Sequence, residues 1–397
     1  MSKILVLCPY VPHPPNHGGS IRSRVLLEAL ATDHEVHLAA AVVDERDRAN
    51  LQALATELGI TGHAIPARTG PRWRLLAKLR WLLGGSEALH RRWQRSSRPF
   101  VTRLIREQGF ALTVLDSTFV LPVFKCMTPL VLLHLHNLEH AVFARAENQP
   151  RSFTDRWTRR FEARAVRSVE KSAIEFCSPT ITVSDHDRQL ALGLVPSAKV
   201  FTVQNSVDLE RLPLQPMAPT GTPRLLFVGS LDYPPNLEAV TELVERHLPV
   251  LRASFPDLTV RLVGKDPRGV AARFRGIAGV ETIGPVDDLL PHYRASHAAY
   301  LPIRSGGGTR IKILEAWALG LPVLSTAIGC EGLPARDGVA LRCLETPEQG
   351  VAALREVLAG QGNTLRANGR RLVEERFSHA AARAQFRAIT NEMLAKL

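Results

Sequence analysis

No two of the five cysteines, Cys8, Cys126, Cys177, Cys330 and Cys343, form a C-x-x-C pair, and their number is odd. Neither a disulfide framework nor a zinc site is expected, and a reducing cytosol fits. Apolar runs are short: none reaches the ~18 residues that a membrane-spanning helix needs. The opening MSKILVLCPYVPHPP has one cation and an apolar run of five residues before its prolines, too short for the core of a signal peptide. The expectation is a cytoplasmic protein with no segment integral to a membrane. Repeats and low-complexity tracts are also lacking, and 45% hydrophobic with 22% charged residues is the composition of a folded chain.

Acidic residues are scarce in one place. Across residues 68–106 eleven Arg or Lys face the single acid Glu87, so most of the chain's +12 charge lies there. The stretch WRLLAKLRWLLGGSEALHRRWQ interleaves Trp73, Leu76, Leu79, Leu82 and Trp93 with cations, the pattern of a basic amphipathic helix at an anionic membrane surface. Arg74, Lys78 and Arg80 are candidates for holding an anionic acceptor. A solvated face whose leucines pack on the domain is the plainer alternative, and nucleic-acid binders share the pattern.

At 397 residues the chain is too long for one core of ordinary size, so two domains are expected, with a candidate site in the cleft between them. Short β-rich runs alternate with helical periodicity: ILVLC, a helix from Ser20 to Ala31, EVHLAAAVV, then ALTVLD, LVLLHL, TITVS and VFTVQN. In LQPMAPTGTP three prolines and a glycine interrupt the pattern. It restarts with LLFVGS, LTVRLVG, VETIG, AAYLPI, PVLST and VALRCL. The fold class is therefore α/β, with two tandem doubly wound, Rossmann-like domains over 1–212 and 224–376 and a linker at 213–223. A final helix, 377–397, either crosses back to the first domain or ends the second.

Three glycine-bearing loops fall at strand ends, where such sheets hold ligands. In HPPNHGGSIRSR, Gly18 and Gly19 allow close backbone approach ahead of a helix expected from about Ser20, and Arg22 is an acceptor-binding candidate. In FVGSLDYPPN, Gly229 and Ser230 end the first strand of the second domain. In PIRSGGGTRIKILE, three glycines reach a helix start that Thr309 can cap, Arg310 and Lys312 add charge, and Glu315 lies about one and a half turns in. A carboxylate there can accept from a ribose diol while the helix end holds a diphosphate. A plain turn with a helix-end salt bridge is the alternative. LVLLHL ends at His136 in the run HNLEH, with His134 on the same face and Asn137 and Glu139 on the same loop. A neutral imidazole there can bond a sugar hydroxyl or position an attacking oxygen.

Together FVGS, PIRSGGGTRIKILEAWALGLPVLST and QNSVDLERL resemble a GT-B glycosyltransferase of family four, the glycosyl transferases group 1, over nearly the whole chain. The resemblance implies that Glu315 holds the ribose hydroxyls and that Gly307, Gly308 and Thr309 present N–H groups to the diphosphate, with Gly18 and Gly19 meeting it from across the cleft. It implies a catalytic set of His136, Lys312 and Glu315, and a retaining transfer. Members of the family commonly carry two glutamates eight positions apart; counting back from Glu315 reaches Gly307, so the first is missing. The Arg and Lys often found after the first strand of the second domain are replaced by Ser230-Leu231-Asp232-Tyr233-Pro234, leaving Arg310 and Lys312 to supply that charge. Asp185-His186-Asp187 matches D-x-D, a metal signature of another architecture, but its acids open a helical run where they suit the dipole, and no metal site is expected.

The expected function is transfer of a sugar from a nucleotide-diphosphate sugar, UDP-linked by the family's habit, to a glycan or lipid-linked acceptor of cell-surface polysaccharide synthesis. No cofactor beyond that co-substrate is expected, and the expected surroundings are cytoplasmic, peripheral on the inner face of the membrane. A nucleotide-sugar epimerase of the same architecture and a non-catalytic basic scaffold for membrane or nucleic acid are the rivals.

Overall fold

The computed structural model describes residues 1–15, 17–67, 97–123, 128–147, 153–177, 179–215, 221–305 and 310–397. The chain forms two compact units, one made of Met1–Asn205 with Ala380–Leu397 and the other of Ser206–His379.

The first unit is a parallel sheet of strands β1 (Lys3–Cys8), β2 (Glu35–Val42), β3 (Thr61–Pro66), β4 (Leu112–Asp116), β5 (Leu130–His134), β6 (Thr180–Thr182) and β7 (Val200–Thr202). Their order is β3-β2-β1-β4-β5-β6-β7. The apolar runs read from the sequence become these strands because both faces of the sheet are covered. Ile4, Val6 and Cys8 pack into one layer and Leu5 and Leu7 into the other. β1 pairs with β2 on one side and β4 on the other, so the winding reverses between β1 and β4. The final helix packs Phe386, Ile389 and Met393 into the same layer as Val6 and Leu26.

The helix Gly18–Ala31 starts two residues before the expected Ser20, because His17 caps it: the Ser20 N–H donates to His17 Nδ1 at 3.2 Å and the His17 N–H donates to Ser20 Oγ at 3.1 Å. Asp185-His186-Asp187 is the first turn of the helix Asp185–Leu194, with Ser184 as its cap. Asp185 accepts from Thr202 Oγ1 at 2.9 Å and Asp187 from Ser184 Oγ at 2.5 Å.

The second unit repeats the winding with β8 (Arg224–Val228), β9 (Thr259–Val263), β10 (Val280–Gly284), β11 (Ala298–Leu301), β12 (Val323–Ser325) and β13 (Arg342–Cys343), in the order β10-β9-β8-β11-β12-β13. Its reversal falls between β8 and β11. The unit closes on itself where the Val207 N–H donates to Phe377 O at 2.8 Å and the His379 N–H to Val207 O at 3.0 Å. Among the described residues no helix is long and apolar enough to cross a membrane.

Candidate functional site

In the second unit the polar groups gather beyond the carboxyl ends of β8 and β11. β8 leads into Gly229, where an added Cβ would lie 2.9 Å from Lys312 Nζ and 2.7 Å from Asn236 Nδ2. Only glycine leaves that space, and Gly264, at the end of β9, sits so close that its Cβ would overlap the Gly229 carbonyl. Lys312, on the helix Ile311–Ala318, donates from Nζ to Asn236 Oδ1 at 2.6 Å and stands 4.5 Å over the Phe227 ring. Asn236 Nδ2 in turn donates to Ser230 O at 2.9 Å, tying the expected Gly229-Ser230 turn to the lysine.

Burial, then the neighbouring Arg310 cation, lowers the Lys312 ammonium to about 7, against the opposing pull of Glu315. Glu315 follows at helical spacing on the same helix and accepts from the Tyr293 hydroxyl at 3.3 Å. Burial raises its carboxyl to about 7, with Tyr293 and Lys312 holding it back. A cation and a carboxylate one turn apart are thus both poised near neutrality.

After β11, Ser305 Oγ donates to Glu238 and Arg304 donates to Glu345. Arg310 Nη2 donates to Ser305 O at 3.3 Å. The helix begins at Ile311 with Arg310 at its N-cap position and no side-chain cap from that residue. Gly307, Gly308 and Thr309 themselves lie outside the described residues, as do Arg74, Lys78, Arg80 and the basic segment up to residue 96. Beside Gly229 and Gly264 a cavity of about 470 Å³ opens between the ends of β8, β9 and β10, lined also by Lys265, Asp266, Thr282 and Pro285.

In the first unit a second constellation stands at the ends of β4 and β5. Asp116 is fully buried, and its Oδ1 accepts from His134 Nδ1 and from His136 Nε2, each at 2.7 Å. Burial pushes that carboxyl up, but the charge and hydrogen bonds of the two imidazoles overcome it and hold it well below the ordinary range. Burial, with the Arg22 cation, drives His134 down to about 3, so it stays neutral. With its Nε2 proton given to Asp116, His136 turns Nδ1 toward the Tyr10 hydroxyl, 3.4 Å away. Gly19 closes that side: an added Cβ would collide with the Tyr10 hydroxyl and lie 3.2 Å from His136 Nδ1. Gly18 and Gly19 are the first residues of their helix. They are not a loop ahead of it.

His134 shares the face of His136, since both bond Asp116 Oδ1, but it is 0% exposed and braces that carboxylate. Arg22, expected to touch an acceptor, is 4% exposed, with Nη1 donating to Asn205 Oδ1 at 3.3 Å and Nη2 to Thr182 O at 3.4 Å. Burial lowers its guanidinium to about 9, and Asp116 and Asp187 partly restore it. It stands as a buried countercharge to Asp116 and Asp187. Asn137 Nδ2 donates to Glu139 Oε1 at 3.3 Å, and burial with the charge of Glu170 raises Glu139 to about 7. Glu170 fixes this loop, accepting from Thr118 Oγ1 at 3.0 Å, Glu139 N at 2.8 Å and His140 Nδ1 at 2.6 Å.

Asp116, His134 and His136 bring donor atoms within 4.8 Å of one another and so form a set of metal-ligand type, which the sequence did not announce. Both imidazoles share a single oxygen at hydrogen-bond spacing, and Arg22 already supplies positive charge nearby. Asp116, Tyr10, Asn236 and Tyr293 also escaped sequence reasoning. Asp116 ends the strand LTVLD and Asn236 follows two prolines at a helix start, which are usable signals; Tyr293 gave none.

Residues 222–360 match the family described as Glycosyl transferases group 1. An uncharacterized 44.6 kDa protein in the cps region of Klebsiella pneumoniae is 23% identical over 361 residues, covering 85% of this chain and 86% of that one. Among solved structures, sucrose-phosphate synthase of Thermosynechococcus elongatus is similar at a TM-score of 0.73 and 17% identity over 100% of both chains. HepE of Anabaena, solved in complex with UDP and glucose, is similar at 0.67 and 14% over 100% of both. TarM of S. aureus is similar at 0.65 and 10%, over 97% of this chain and 99% of that one. With two doubly wound parallel sheets and this match across the second of them, the chain has the GT-B fold, and its residues 222–360 are similar to the Glycosyl transferases group 1.

Proposed function

We propose that the chain transfers a sugar from a nucleoside-diphosphate sugar, UDP-linked in the first instance, to a glycan or lipid-linked acceptor in cell-surface polysaccharide synthesis. The observation that carries this reading is Lys312, a half-buried ammonium held 2.6 Å from Asn236 over a glycine at a strand end, one turn before Glu315. A diphosphate arriving there restores the full charge of Lys312, and Arg310 adds to it; Glu315 accepts from the ribose hydroxyls. The cavity beside Gly229 and Gly264 takes the base. Across the first unit, His136 offers Nδ1 to a sugar hydroxyl while Asp116 keeps the proton on Nε2.

In the reaction the bond from the anomeric carbon to the diphosphate oxygen breaks and the acceptor oxygen bonds to that carbon. The acceptor's proton leaves with the diphosphate, and the anomeric configuration is retained. The leaving charge is met by Lys312 and the start of its helix, so the transfer runs without a metal ion. UDP is favoured by the likeness to HepE, and polysaccharide synthesis by the cps-region location of the Klebsiella relative. The setting is the cytoplasm, on the inner face of the membrane.

The test is product analysis with labelled UDP-sugars and a panel of glycan and lipid-linked acceptors, with and without EDTA. Transfer that ignores EDTA and keeps the anomeric configuration supports the proposal. Conversion of the donor sugar without acceptor identifies an epimerase instead, and no consumption of any donor defeats both.

A further inference from the structure

Asn236 is the third residue of the helix Pro234–Glu242, but its side chain does not serve that helix. The N-cap position belongs to Tyr233, and the Asn236 backbone N–H donates to Tyr233 O at 3.0 Å. The amide turns back over the end of β8 instead. Its Nδ2 donates to Ser230 O at 2.9 Å, which fixes its orientation, and its Oδ1 accepts from Lys312 Nζ at 2.6 Å. Gly229 lies against both: an added Cβ would stand 2.7 Å from Asn236 Nδ2 and 2.9 Å from Lys312 Nζ, so amide and ammonium meet over bare backbone. The ammonium also stands 4.5 Å over the Phe227 ring.

The charges that act on Lys312 are Arg310, which opposes its ammonium, and Glu315, which favours it. Carboxylates on the facing side are engaged elsewhere: Glu238 accepts from Ser305 Oγ, and Asp232 pairs with Arg268 at 3.1 Å. Lys265, beyond the end of β9, is exposed. The closest group to the Lys312 ammonium on that side is thus a neutral one. An amide oxygen accepts from an ammonium and leaves its charge whole, whereas a carboxylate in the same place would hold it more tightly and cancel the charge that an anion needs. We propose that Asn236 is a positioning residue, whose neutral amide aims the Lys312 ammonium over Gly229 and leaves its charge for an anionic diphosphate. The proposal rests on the reading of Lys312 as the diphosphate's partner, and it explains why that partner is held by an amide.

The experiment compares the full chain with Asn236→Asp and Asn236→Leu, both shown by thermal melts to be folded. Without nucleotide, the rate at which acetic anhydride labels Lys312 is followed against pH by peptide mass spectrometry, which reads the fraction of free amine. Asn236→Asp moves the midpoint to higher pH, because a carboxylate favours the ammonium, and Asn236→Leu moves it to lower pH, because the ammonium loses its acceptor. A merely structural role for Asn236 has no reason to move the two in opposite directions. Calorimetric titration with UDP is the second arm. Affinity near pH 7 falls roughly tenfold or more in Asn236→Asp, where a carboxylate faces the diphosphate, and roughly tenfold in Asn236→Leu, where the ammonium is no longer aimed. The proposal is overturned if both midpoints stay at the parent's, if they move together, or if UDP binds the folded variants as it binds the parent. Equal UDP affinity in Lys312→Met and the parent defeats the diphosphate reading instead, and the labelling arm then still decides whether Asn236 holds the ammonium.

Discussion

The two units share one winding order around their switch points but use their strand ends differently. In the first, charge is matched internally: Asp116 Oδ1 is held by two imidazoles and the carboxylate's charge is offset by the buried Arg22. In the second, Lys312 and Glu315 are both drawn to about 7 by burial, each short of a partner strong enough to restore its charge. A site whose charges are settled orients a neutral group such as a sugar hydroxyl. A site whose charges are unsettled relaxes when a charged ligand arrives, which is why the nucleotide is proposed for the second unit.

The largest expected effects separate binding from stability. Lys312→Met and Glu315→Ala each lower nucleoside-diphosphate affinity at least ~100-fold by calorimetric titration, since each removes a desolvated charged contact. Lys312→Met also melts at a higher temperature than the parent near pH 7, because a half-buried ammonium with its charge partly desolvated is gone. The sign follows from the proton count: Lys312 titrates near 7 when folded and near 10.5 when unfolded. The unfolded chain therefore binds more protons in that window, so the parent gains stability as pH rises through it, and the variant loses that slope.

Next comes Gly229→Val, which pushes a side chain into the space between Lys312 and Asn236. Affinity for the diphosphate falls roughly 10- to 100-fold, with a stability loss of about 1–3 kcal/mol in thermal melts. In the first unit, Asp116→Asn leaves nucleotide affinity unchanged but lowers kcat about 100-fold, because His136 loses the partner that fixes its tautomer. Equal loss of nucleotide binding in that variant would erase the division of labour between the units.

Nucleotide affinity also depends on pH. It weakens below about 7 as Glu315 takes a proton and above about 7 as Lys312 loses one. Titrations across pH should show both limbs, and Glu315→Gln should remove the acid limb alone. The smallest effect is conformational: Ser117 has φ of 98°, so Ser117→Gly stabilises the chain by about 0.5–1 kcal/mol in melts.

Much of the architecture was legible because both faces of each sheet are covered. Runs such as ILVLC and the PVL of PVLST are continuous and apolar, and buried parallel sheets read that way. β3, TGHAIP, escaped because it is an edge strand with mixed burial and a glycine. At the site, Lys312 and Glu315 were readable from helical spacing on one short helix. The partners of Asn236, Tyr293 and Asp116 were not, since each meets its partner across 18 to 76 residues of chain, although the positions of Asp116 at a strand end and Asn236 at a helix start were usable signals. Arg22 misled for a related reason: its position beside two glycines suggested a ligand, whereas tertiary packing with Asn205, Thr182 and Phe386 gave it an internal partner set.

The most direct measurement is the thermal shift of the purified chain with UDP, GDP, ADP, TDP and CMP, with and without EDTA, alongside Glu315→Ala. The account predicts a rise for one nucleoside diphosphate, UDP first, that ignores EDTA and vanishes in the variant. No shift with any of them, or a shift that survives Glu315→Ala unchanged, would contradict it.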